Sequence, residues 1–297
     1  MPTGQRPLVR RRLRLELRQE RERARKSQAE VAKKMDWSLS KIIRLEAGQV
    51  GISTNDLKAL LDLYSVDGEE RRAFLIGLAR AARMQSTWWS AYRDVLPSSD
   101  YADFLGYETD ASILTGYFGP LIPGLLQTEE YAREVISLGG PLKLTEEEVD
   151  RLVEVRMARK QYVLDRDDNP TLNAIVDEAA LHRMIGGGEV MNEQLSSVAE
   201  VGALSNIVVR VIPYSAGAHP GLRGTFLIME FADPADAPVL QLDTAPRDVF
   251  LREEPDQLEI YREAFRQMER VALSEEESRD VILAAADRAM EVAEHGE

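Results

Sequence analysis

The segment Ser27–Gly48 constrains this chain most, because it specifies two short helices and the tight turn between them. Ser27-Gln28-Ala29-Glu30 is a capping box: the Ser27 hydroxyl can accept from first-turn amides while Glu30 reaches back to the Ser27 amide. Val31, Ala32 and Met35 follow on one helical face, and Ile42 and Leu45 recur at a spacing that lets a second helix pack against them. Ala32 is small where the helices must approach closely. Asp36 falls in the turn, where an aspartate tolerates positive φ better than most residues. Gly48 can take the left-handed conformation that stops the second helix.

Packing in this way leaves Ser38, Leu39, Ser40, Lys41 and Arg44 on the outer face and N-terminal half of the second helix. A helix-turn-helix offers such residues to base edges in the major groove of a duplex. Arg44 suits a bidentate contact with guanine, and Ser40 can pair with several bases. Gln28, at the start of the preceding helix, is placed to hydrogen-bond a phosphate near the positive end of the helix dipole. Arg10, Arg11 and Arg12, read with Arg6 as part of a flexible basic arm, would join Lys41 in sequence-independent attraction through counterion release. The formal net charge of -14 hides a division that fits this picture. Residues 1–50 hold 14 basic and 6 acidic side chains, net +8, and the remainder holds 23 and 45, net -22. One part is built to meet a polyanion and the other to stay off it. The competing interpretation is an ordinary helical hairpin with a solvated face. Caps, packing, basic surface and N-terminal position all agree against it.

At these residues the chain resembles the xenobiotic-response-element class of helix-turn-helix regulators, which is related to the phage repressors. The likeness covers about residues 9–64 and rests on the Gln28–Ala32 run and on Ile42–Gly48. It implies a five-helix domain with Gln28 on phosphate and with Leu39, Ser40 and Arg44 facing bases. Arg25 and Lys26 depart from the class, which usually has a glycine and an apolar residue there. Trp37 is large for its turn.

Further along, Ser53-Thr54-Asn55-Asp56 opens a helix bearing Leu57, Leu60, Leu61 and Tyr64, and Glu69–Met84 reads as another with Phe74, Leu75, Leu78 and Ala82. The texture changes over Gln85–Asp100, which predicts a DNA-binding domain over 1–84 and an acidic domain over 85–297. Helices are expected over 101–115 and 128–138, and a capping box at Thr145–Glu148 opens one that runs to about Leu164. Short β-branched runs at 171–176, 207–212, 225–231 and 239–242 then read as strands, with Phe250 and Leu251 as a further candidate. Two helices, about 255–271 and 275–294, close the chain, the second capped by Ser274 and Glu277. The fold class expected is α+β: an all-α helix-turn-helix domain, then a mixed helical and antiparallel-sheet domain.

The second half resembles a module that follows this kind of helix-turn-helix in actinobacterial regulators, many of them antitoxin-like or developmental. Trp88-Trp89, Glu108, Pro120–Ala132, Arg156, Arg159-Lys160-Gln161, Asp177–Leu181, Gln194-Leu195, Val211–Pro213 and Gly217–His219 carry that likeness. It implies a regulator working with a small partner protein. Tyr117, Phe118, Leu121, Leu125 and Leu126 form an apolar cluster, readable as core or as the lining of a ligand or partner groove. Glu178, His182 and His219 are the one constellation open to a metal or acid–base reading. No HExxH, nucleophile elbow or phosphate loop accompanies them, and Gly186-Gly187-Gly188 reads as a helix stop. With no cysteine and no apolar run near the ~20 residues that span a bilayer, a cytoplasmic protein is expected. The reading is thus a transcription regulator, not an enzyme, with no metal and no cofactor. It would bind a double-stranded DNA operator as a homodimer and answer to a small-molecule effector or partner protein. The alternative is an antitoxin-like protein that sequesters a small partner and autoregulates.

Overall fold

Helices in the first part of the chain stop where a residue turns to positive φ and restart at a serine. The computed structural model describes residues 7–48, 50–84, 87–138, 144–244, 249–252 and 254–295. Helix α1 (Pro7–Arg23) ends in a Schellman motif: Arg25 has φ +54°, the Lys26 amide donates to the Arg21 carbonyl at 3.1 Å, and the Arg25 amide to Glu22 at 2.9 Å. Helix α2 (Gln28–Lys34) starts at Ser27 and stops before Asp36, also at φ +54°, with the Trp37 amide on the Ala32 carbonyl at 2.8 Å. Helix α3 (Leu39–Glu46) starts at Ser38 and stops before Gly48 at φ +73°. Helix α4 (Thr54–Leu63) starts at Ser53 and stops before Ser65 at φ +56°; α5 (Glu69–Met84) follows. Leu13, Leu17, Val31, Ile42, Leu45, Leu57, Leu60, Leu61 and Leu75 share one buried cluster, each such side chain contributing about 1.5–3 kcal/mol.

The expected flexible arm is a correction. From Pro7 the chain is helical, so Arg10, Arg11 and Arg12 lie on α1, and Arg6 falls outside the described residues. Leu13 and Leu17 at i, i+4 spacing bury one face of this helix, and Arg11, on another face, is also buried, only 3 % exposed. Two compact units emerge from the fold. One runs to Arg93 and includes Ala102–Tyr107; the other comprises Asp94–Tyr101 and everything from Glu108.

The second unit is built on one six-stranded sheet. Helix α6 (Ser99–Asp110) stops short of the expected residue 115, and β1 (Ile113–Phe118) follows at once. Then come α7 (Glu129–Ser137), α8 (Glu146–Leu164), β2 (Thr171–Asp177), α9 (Glu178–His182), α10 (Gly188–Val201), β3 (Ile207–Ile212), β4 (Phe226–Glu230), β5 (Val239–Leu242) and β6 (Val249–Leu251). Helices α11 (Pro255–Glu269) and α12 (Glu275–His295) close the chain. The strand order is β3-β2-β1-β4-β5-β6. β1, β2 and β3 are parallel and β4, β5 and β6 antiparallel, so the class is α+β as expected but the sheet is mixed, not antiparallel. Helical crossovers between β1 and β2 and between β2 and β3 force the parallel half. The central strand β1 escapes a sequence reading because Gly116 breaks its apolar run. That glycine is needed, since a Cβ there would lie 2.7 Å from the Phe226 carbonyl oxygen of β4.

Tyr117, Ile175, Ile212, Phe226, Ile228 and Leu240 make one apolar face, covered by Phe265 and Met268 of α11. The edge strand β3 is sealed by α12 and the turn before it: the Val211 amide donates to the buried Ser278 hydroxyl, and the Leu273 amide to the Val211 carbonyl, both at 2.9 Å. Gly186–Gly188 is a second correction. Helix α9 has already ended at His182, Gly187 caps α10 and Gly188 is its first residue, and a Cβ on Gly188 would meet the Ala289 carbonyl of α12 at 2.2 Å.

Arg25 occupies a left-handed conformation that costs an L-residue about 1–2 kcal/mol. Arg25→Gly should raise the stability of the first unit by about 0.5–1 kcal/mol, the greater freedom of glycine in the unfolded chain taking back part of the gain. Urea titration would register it as a higher midpoint at unchanged slope.

Candidate nucleic-acid interface

The two helices of the turn are held from both ends. Ser27 Oγ accepts from the Glu30 amide at 3.2 Å, and Glu30 accepts from the Ser27 amide at 2.8 Å. The Ser27 hydroxyl also donates to this carboxylate at 2.8 Å, and the backbone bond, followed by the hydroxyl one, lowers the Glu30 pKa. Ser38 Oγ accepts from the Lys41 amide at 3.2 Å. Val31 and Ile42 are fully buried between the helices, with Ala32 and Leu45 beside them. Ser38, Leu39, Ser40 and Arg44 consequently stand on the exposed side of α3, as the pattern predicts.

A charged clamp orients α3. The Glu46 carboxylate at its C-terminal end accepts from Arg21 of α1 through Nε at 2.6 Å and Nη2 at 3.0 Å, and from Gln28 Nε2 of α2 at 2.8 Å. Arg21 Nη1 also donates to the Lys26 carbonyl at 2.9 Å. The hydrogen bonds to Glu46 raise the Arg21 pKa against the opposing effect of burial. Tyr64 beside them is pushed up by burial and by the Glu46 charge.

The remaining expected contacts are distributed differently. Gln28 commits its amide nitrogen to Glu46. Lys41 Nζ lies 3.7 Å from the Trp37 ring centroid and 3.2 Å from Asp56 Oδ2, so the large turn residue is a platform for a lysine. Arg10 pairs with Asp103, Arg11 is buried, and Arg12 lies over Phe74 at 5.6 Å. Ile43, outside the expected set, is 45 % exposed beside Leu39 at 46 %. Its signal is legible after the fact: at about 100° per residue, Ile42 and Leu45 define the buried face and Ile43 falls about 130° from its centre.

The second candidate cluster resolves into architecture and one buried polar group. Leu125 and Leu126 are buried, and their loop is tied down at several points. Gln127 Nε2 donates to the Ile122 carbonyl and Gln194 Nε2 to the Leu126 carbonyl, both at 2.8 Å. Gln194 Oε1 accepts from the Thr128 amide at 2.8 Å, and Arg159 forms a buried bidentate pair with Glu108 at 2.7 and 2.8 Å. Phe118 and Leu121 flank this loop, both partly buried. Tyr117 donates to Asp177 Oδ2 at 2.8 Å, and burial raises its pKa, with Asp177 adding to the shift. His219 faces the same carboxylate oxygen at 3.5 Å, while His182 pairs with Glu178 at 3.2 Å. Glu178 and His182 thus pair with each other while His219 turns to Asp177, and among the described residues no group of three His, Asp or Glu side chains could hold a metal ion.

Two family matches accord with this division. Residues 12–74 match a Helix-turn-helix domain, and residues 101–284 match the Domain of unknown function (DUF5753). No curated protein and no solved structure matches the chain. Among the described residues no helix is long and apolar enough to cross a membrane.

Glu46→Ala should strip the largely buried Arg21 of its bidentate partner, leaving it the Lys26 carbonyl and the Glu22 carboxylate at 3.7 Å, and free Gln28, costing about 1–3 kcal/mol. Thermal or urea unfolding would measure that loss, and weaker duplex binding should accompany it although Glu46 itself faces inward.

Proposed function

The chain belongs to the family of the Domain of unknown function (DUF5753), and we propose that it acts as a sequence-specific transcription regulator that binds a double-stranded operator as a homodimer. Its Helix-turn-helix domain makes it a DNA-binding regulator. The observation that carries the specific reading is the exposed row of Ser38, Leu39, Ser40 and Arg44 on a helix whose opposite face is buried. In a major groove, Arg44 would address guanine O6 and N7, and Ser40 a neighbouring base edge. Lys41 would add attraction without sequence preference.

Control then belongs to the C-terminal unit, through a small-molecule effector or a partner protein. Two features support that assignment: the unit is compact in its own right, and the chain beyond residue 50 carries a net charge of -22, which repels DNA and leaves binding to the basic head. Two copies related by a two-fold axis would meet half-sites about 34 Å apart.

Selection of bound fragments from a pool of random duplexes tests this reading and should return a pseudo-palindromic site. Arg44→Ala should then weaken binding by about 1–3 kcal/mol and relax preference at one base pair in each half-site. Equal loss on every sequence would overturn the assignment of Arg44 to a base.

A further inference from the structure

We propose that Leu39 and Ile43 form an apolar reading edge for the C5 methyl groups of thymine. The proposal rests on the reading of α3 as a groove-facing helix and states which base chemistry that helix recognises. Leu39 and Ile43 are 46 % and 45 % exposed and stand one turn apart at i, i+4, so their side chains adjoin on one surface. Every other aliphatic side chain of α3 larger than alanine, Ile42 and Leu45, is in the core. The polar groups available beside the pair are few. Ser38 Oγ accepts from the Lys41 amide, and the Lys41 ammonium is held between the Trp37 ring and Asp56. Ser40 and Arg44 remain as the hydrogen-bonding readers, with two branched apolar side chains beside them.

Charge selects the occupant of this apolar edge. The first 50 residues carry a net +8, which favours a polyanion over an apolar protein surface. The thymine C5 methyl is the apolar feature that the major groove presents. A helix with two aliphatic readers and one arginine therefore favours sites in which thymines flank a guanine.

Replacing each thymine of the selected duplex in turn by deoxyuridine removes one methyl and leaves the Watson–Crick pairing and hydrogen-bonding edges intact. The full-length protein should lose about three- to tenfold in affinity at one or two positions per half-site. Ile43→Ala should bind the thymine duplex as weakly as the unaltered protein binds the deoxyuridine one, and should lose nothing more when the methyl is removed. Leu39→Ala should show the same pattern at an adjacent position. Circular dichroism of both variants should match that of the parent, because neither side chain is in the core.

Undiminished affinity on every deoxyuridine duplex, or selected sites without thymine, would overturn the inference while tight, specific binding left the regulator reading standing. Failure to select any duplex at low salt would remove both. If Ile43→Ala altered only self-association in sedimentation, with the methyl dependence intact, the edge would be a contact between copies and the inference would fall.

Discussion

The Glu46 carboxylate is buried at the end of the outward helix with 8 % of its side chain exposed, and it accepts from α1 through Arg21 and from α2 through Gln28. Apolar packing between α2 and α3 decides which side of α3 is buried, but it is non-directional and fixes the helix's exact rotation only loosely. Hydrogen bonds to a charged, nearly dry acceptor do not tolerate that looseness, because a displaced partner leaves the charge unpaired. The exposed row from Ser38 to Arg44 is turned outward by the burial of Ile42 and Leu45, and the ion pair at the C-terminal end of the helix fixes its angle. Gln28 matters here as a strut between helices.

Short helices need their ends satisfied more than long ones, since unpaired terminal amides and carbonyls are a larger share of their backbone groups. The first unit meets this with serine caps at Ser27, Ser38 and Ser53 and with left-handed stops at Arg25, Asp36, Gly48 and Ser65. Twice a left-handed stop is followed two residues later by a serine cap, at 25–27 and at 36–38. This compresses each corner into three residues and allows the second helix of the turn to lie tightly on the first.

The second unit depends on β1. Its register places Tyr117 between Ile175 of β2 and Phe226 of β4, where the parallel and antiparallel halves join. At that junction Asp177 collects the Tyr117 hydroxyl and the Ala179 amide, with the His219 ring, 5 % exposed, beside it. A Cβ on Gly221 would strike the Tyr117 ring at 2.6 Å, so the segment carrying His219 lies directly on this strand end. Glu108, Gln127, Arg159 and Gln194 work as fasteners of the 120–128 loop and its surroundings.

Much of this was legible in the residue order alone, because caps, helical stripes and left-handed stops are local. Ser27 with Glu30, Thr145 with Glu148, Ser274 with Glu277, Asp36 and Gly48 all act within a turn of their own position, and so does the choice of which α3 residues face outward. The parallel half of the sheet was not legible: β1 pairs with strands about 58 and 113 residues away, and its central glycine answers to a carbonyl on one of them. Nor were the destinations of the long polar side chains. Whether an arginine such as Arg11, or an amide such as Gln28, meets solvent or a buried partner depends on what the fold brings within reach, and their own neighbours along the chain carry no trace of that.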